Sequence, residues 1–168
     1  DGFELGLSVG CVLEGFMVGL VEGFVVGLAI GSCDGYKVGF EDVLYAISRK
    51  EDYLLINTLS SDAQDCLIQN TLSMDLEEHT INQMINHSNQ CVKKIIVYGK
   101  NGTHDNVDNK YQQLIHLGFS EVYIYSGGLF EWMLLQDIYG VDHFPTTSIV
   151  TDILKYRPRG RLQYPRIS

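Results

Sequence analysis

The sequence is short of positive charge, of proline and of tryptophan. It has 12 Lys and Arg against 21 Asp and Glu, a formal net charge of −9. That balance argues against a body built to hold a nucleic acid, whose phosphates need a basic face. With only 3 prolines there is no proline-rich linker. The 4 cysteines, Cys11, Cys33, Cys66 and Cys91, include no CxxC pair, and no His-x-x-x-His accompanies them. No zinc site, other metal or cofactor is therefore expected. There is no basic stretch ahead of an apolar one at the start, and residue 1 is Asp rather than Met. The expectation is a processed or partial chain in a reducing, intracellular and cytoplasmic compartment.

Three segments differ in composition. Residues 1–39 carry glycine at 2, 6, 10, 15, 19, 23, 27, 31, 35 and 39, a low-complexity repeat with net charge −4. Glu14 and Glu22 divide this stretch into apolar pieces shorter than the roughly 20 residues of a spanning helix. A mid-membrane acid also costs on the order of 2–3 kcal/mol, so membrane attachment is the disfavoured reading. Glycines four apart advance ~40° per step on a helix and make no fixed stripe. An irregular β-rich state and a disordered one stay open. Residues 40–150 form the body, at −9, and residues 151–168 a basic extended tail, at +4. The tail has Arg157, Arg159, Arg161 and Arg166 between tyrosines and prolines, and suits either an acidic partner or the acidic body itself.

Within the body, helical and strand patterns alternate. FEDVLYAISRKED has Val43, Leu44 and Ile47 at helical spacing. YLLIN, at 53–57, and KKIIVYG, at 93–99, are compact apolar runs that suit buried strands. CLIQNTLSM is a second short apolar run. Asp75 is placed to cap a helix over LEEHTINQMIN, with Leu76, Ile81, Met84 and Ile85 inward. VDNKYQQLIHLG reads as a helix closed by Gly118. EVYIY is a strand. A Gly127–Gly128 turn follows, then a helix with Trp132, Leu135 and Ile138 on its apolar stripe, a core pattern rather than a cofactor contact. The alternation predicts an α/β fold, a parallel sheet flanked by helices. Ligands of such sheets bind beyond the carboxyl ends of the strands, which singles out the loop after IIVYG.

The succession IIVYG, KNGTHD, a helix, then LGFSEVYIYSGGLFEW resembles the rhodanese family over residues 40–147. The resemblance implies a single-domain rhodanese-like fold whose loop after the central strand opens with a nucleophilic Cys. That thiolate carries sulfane sulfur as a persulfide. The loop amides and the following helix N-terminus favour its negative charge. In this chain the nucleophile position holds Gly99, and the loop equivalent runs Gly99, Lys100, Asn101, Gly102, Thr103 and His104. The related Cys-x5-Arg phosphatase chemistry loses the same Cys. The strand expected to end in Asp-Val-Arg ends instead in Asn57, Thr58 and Leu59. The framework is kept and the catalytic groups are not.

This pattern leads to a rhodanese-like domain without sulfurtransferase activity, acting as a binding or regulatory module. Two alternatives accompany it: a sulfurtransferase using a displaced Cys such as Cys66, and a module attached to a membrane by residues 1–39. Cys91 precedes Gly99 by eight residues, ~26 Å along a strand, and belongs to the far end of the sheet. The loop has two readings. Gly99 and Gly102 let amides converge on a small anion, with Lys100 and His104 adding charge. The simpler reading is a turn that needs glycine, with Thr103 or Asp105 capping the helix. His104 has no Ser, Cys or Asp arranged as a catalytic partner. The partner is expected to be an unknown protein or a small anion in the loop.

Overall fold

The computed structural model describes residues 36–86, 93–103 and 105–159. Four parallel strands lie in the order β1-β4-β3-β2, with β1 Lys37–Val38, β2 Tyr53–Asn57, β3 Lys94–Tyr98 and β4 Val122–Tyr125. β3 is central: Leu55 stands beside Ile96 on one side, and Ile96 beside Tyr123 on the other. Beyond β2 the sheet gains one more contact. Leu72 N–H donates to Leu55 O at 2.8 Å, and Thr71 bridges Leu55 in parallel. CLIQNTLSM thus lies along the sheet without forming a strand. The repeat segment expected over 1–39 overlaps the sheet at its end, because Lys37 and Val38 pair with Ile124 and Tyr125. Residues 1–35, and with them Cys11 and Cys33, lie outside the described residues, as does Cys91.

The strands read as continuous apolar runs because both faces are covered. Leu55, Ile96, Tyr98 and Tyr125 share a core with α1, Phe40–Ser48, through Val43 and Ala46. The same core takes in α4, Gly128–Tyr139, through Leu129, Trp132 and Met133. The alternate residues, among them Leu54, Ile56, Val97 and Ile124, are buried on the opposite face. That side carries α2, Met74–Asn86, which buries Ile81, and α3, Asp105–His116, with Val107, Tyr111 and Leu114 buried.

The helix ends follow their local chemistry. Gly39 N–H donates to the Asp42 carboxylate at 2.9 Å and opens α1. α3 closes as expected at Gly118, φ +96°, where Gly118 N–H donates to Ile115 O and Phe119 N–H to Leu114 O.

Three helix expectations need correction. Asp75 is a residue of α2 rather than its cap, since the helix already includes Met74. Leu76 and Ile85 are exposed and Met84 only half-buried, because α2 leans on the sheet mainly through Ile81. In α4, Ile138 is 70 % exposed. It lies ~120° around the helix from Trp132, whereas Leu129 and Met133 share the buried arc. The tail is also not extended from 151: Ile153–Tyr156 forms a 3-10 turn whose Tyr156 is buried in the core.

Candidate functional site

The loop after β3 is held from three directions. Tyr98 ends the strand fully buried, its hydroxyl 2.7 Å from Thr71 Oγ1 and accepting from Ile68 N–H at 3.2 Å. Burial pushes this phenol well above its ordinary value, so it stays protonated and structural. Next comes Gly99, whose carbonyl accepts Leu129 N–H at 2.9 Å, while Lys100 O accepts Phe130 N–H at 3.0 Å. Two carbonyls of the loop therefore satisfy orphan amides in the first turn of α4.

That docking demands glycine on the facing turn. Gly128 has φ +62°, and a Cβ there would lie 2.7 Å from Gly99 O and 2.9 Å from Asn101 N. Gly102 faces Ser126 in the same way, with a Cβ position 2.9 Å from Ser126 O. Gly128 of the pair after β4 lets backbone approach backbone, whereas a Cβ on Gly127 would meet the Glu131 side chain.

Asn101 is the third anchor, and it is buried. Its Nδ2 donates to Tyr156 O at 2.8 Å, and its Oδ1 accepts from Thr103 N–H at 3.2 Å and Thr103 Oγ1 at 2.9 Å. Thr103 therefore turns back onto the loop. One loop amide is committed to the loop's own side chain. The amides of Lys100, Asn101 and Gly102 meet no backbone acceptor among the described residues.

The C-terminal turn closes this end of the sheet. Tyr156 hydroxyl donates to Asp65 Oδ1 at 3.1 Å, Lys155 Nζ reaches Asp65 Oδ2 at 2.6 Å, and Lys100 Nζ stands 5.8 Å from the Tyr156 ring centroid. The Lys155 ammonium, then the Tyr156 hydroxyl, hold the Asp65 carboxyl below the usual carboxylate range. Asp62 titrates low as well, chiefly through the Ser60 hydroxyl and in small part through Lys100. The positive charge of Lys100 thus already has an aromatic face and a carboxylate in reach.

The other sequence candidates separate. Cys66 is fully buried, and its Sγ donates to Ser148 O at 3.1 Å. Trp132 is fully buried, edge-on to Tyr125 and Phe144, with Nε1 donating to Pro145 O at 3.3 Å. His104 and the side chain of Asp105 lie outside the described residues. Among the described residues there is no cluster of His, Cys, Asp and Glu suited to a metal ion. No helix among them is long and apolar enough to cross a membrane. Sequence reasoning missed Asn101 as an anchor and Tyr156 as its partner. The two are 55 positions apart, and no local pattern links them.

A parallel, doubly covered sheet with a glycine-opened loop docked on a Gly-Gly turn defines the class. Residues 42–135, more than half of the chain, match the rhodanese-like domain, and the chain belongs to that family. Among solved structures, a full-length Lactobacillus plantarum protein is similar at 16 % identity over 77 % of this chain and 96 % of its own, TM-score 0.49. A Bacillus halodurans protein is similar at 20 % identity over 59 % and 72 %, TM-score 0.48. The rhodanese-like domain of an Anabaena sp. protein is similar at 20 % identity over 79 % and 92 %, TM-score 0.46. No curated protein matches the chain.

Proposed function

We propose that this rhodanese-like domain is a binding or regulatory module without sulfurtransferase chemistry. The observation that carries the reading is Gly99 at the opening of the loop, directly after the central strand. A persulfide carrier needs a thiolate there, and glycine offers no side chain to hold sulfur. The surrounding contacts support the same reading. The Asn101 side chain occupies the Thr103 amide, and Tyr156 covers the loop through Asn101 and Lys100. The displaced nucleophile gains no support from its setting. Reactive cysteines are partly exposed in electropositive surroundings, whereas Cys66 has no solvent exposure and gives its S–H to a carbonyl.

Thiosulfate:cyanide sulfur transfer by the full chain tests the proposal, with Cys66→Ser in parallel. The expected result is no turnover above background for either protein. Robust turnover abolished by Cys66→Ser would overturn it in favour of a displaced-thiol sulfurtransferase.

A further inference from the structure

Away from the loop, the outer face of α4 breaks the pattern of a surface helix. Of its 12 residues only Glu131, Gln136 and Asp137 carry a charge or an amide. Gln136 is turned inward, its Nε2 donating to Phe144 O at 2.6 Å and to Thr146 Oγ1 at 3.0 Å. The buried arc holds Leu129, Trp132 and Met133. Leu134 lies ~140° and Ile138 ~180° around the helix from Leu129, on the arc opposite the core. They are 41 % and 70 % exposed. Phe130, half-buried, precedes Leu134 by four positions, so Phe130, Leu134 and Ile138 make one stripe along the helix. Val141, just past the helix, is exposed as well. A helix that is apolar all round is ordinarily buried all round. Apolar side chains scattered singly over a surface need no partner, whereas an aligned stripe marks an interaction face.

The charges beside the stripe indicate what covers it. Asp137 and, past the helix, Asp142 are exposed, and Glu131 is half-buried, ~20° around the helix from Ile138. No Lys or Arg occurs from 128 to 142. A second copy of the chain, paired about a two-fold axis, would bring these acids toward the same acids with no base on the stripe to answer them. An anionic lipid surface or a nucleic acid would meet the same repulsion. A basic helix carries the opposite charge, and one with Leu at helical spacing brings an apolar stripe of its own.

We propose that the outer face of α4 docks a basic amphipathic helix of a partner protein. Its apolar residues lie on Leu134 and Ile138, and its Lys or Arg side chains stand beside Asp137 and Asp142. The inference goes beyond the reading above, because this surface is apart from the loop and stands whether or not the chain transfers sulfur.

The test titrates isotope-labelled full chain with acetyl-Lys-Leu-Ala-Lys-Leu-Ala-Lys-Lys-Leu-Ala-Lys-Leu-Ala-Lys-amide and follows side-chain methyl groups by NMR. Saturable shifts are expected at Leu134, Ile138 and Val141, with a gain of helical circular dichroism. Ile138→Gln, at a mostly exposed position, is expected to weaken binding about tenfold. Asp137→Lys should weaken it several-fold, and added salt should weaken it further. A peptide of the same composition with its Leu residues scrambled should bind far more weakly. Equal binding by the scrambled peptide would overturn the proposal, since charge alone would then suffice. So would the absence of saturable shifts at Leu134 and Ile138, or unchanged affinity in both variants. A dimer of the chain alone that Ile138→Gln dissociates would also overturn it, by giving the face to a second copy. Sulfur transfer measured on the same sample reports on the loop alone.

Discussion

Gly99 and Gly128 touch through a missing atom: the Cβ that Gly128 lacks would lie 2.7 Å from the carbonyl oxygen of Gly99. The same oxygen accepts the amide of Leu129. The loop that opens with Gly99 is therefore shaped by the turn after the next strand as much as by its own residues.

This contact sets the first expectation. Gly128→Ala combines a left-handed backbone, about 1–2 kcal/mol for a non-glycine residue, with a clash against fixed backbone. Gly118 shares the positive φ, at +96°, but a Cβ there meets nothing within 4 Å. Urea denaturation should show Gly128→Ala losing more stability than Gly118→Ala, by at least about 1 kcal/mol. Equal losses would mean that the loop yields to the new methyl group.

Asn101 joins the loop to the C-terminal turn. Asn101→Ala removes its bonds to Tyr156 O and Thr103 and leaves buried groups unpaired, at a cost of about 2–3 kcal/mol. Trypsin should then cut after Lys155, inside the turn, sooner than in the parent chain. Unchanged cleavage would show that Tyr156 is held by core packing alone.

A thiol placed in the loop reports on its electrostatics. In Gly99→Cys the Thr103 amide is already taken and Lys100 already has company. The iodoacetamide rate profile should give a pKa nearer the free-thiol value of about 8.5 than the strongly depressed range of working thiols. Adding Asn101→Ala frees that amide and should lower the value. A depressed pKa in the single variant would show that the remaining loop amides suffice for an anion.

Acid should release the C-terminal turn. The Asp65 carboxyl titrates below its ordinary value, held there first by Lys155 and then by Tyr156. A depressed carboxyl stabilises the folded state fully above its unfolded pKa of about 3.9, and that contribution is lost as pH falls through the lower folded value. Limited pepsin digestion below pH 4 should therefore find the turn progressively more accessible. In Asp65→Asn the pH dependence should flatten, with the turn looser already at neutral pH. An unchanged pH profile in that variant would assign the acid sensitivity to other carboxylates.

Much of the body was legible because its signals are local. YLLIN and IIVY are apolar on both faces, and only a strand buried on both sides needs that. Gly118 closes α3 from a position the local sequence marks. The misread residues are those whose partners come from elsewhere. Leu76 and Ile138 carry helical periodicity but stay mostly exposed, because periodicity fixes an arc of a helix and not what stands opposite it. Tyr156 sits in a stretch that composition marks as a basic arm, yet it is buried by Asn101, Asp65 and the core residues around Phe144.

By itself the sequence determined the alternating α/β order, the parallel sheet and the glycine that opens the loop, since each follows from short-range pattern and residue type. Only the tertiary structure decided that Gly128 is a docking face for Gly99 and that Asn101 fills part of the loop. Those outcomes depend on atoms brought within 3 Å across tens of residues, and no window of the sequence encodes such a distance.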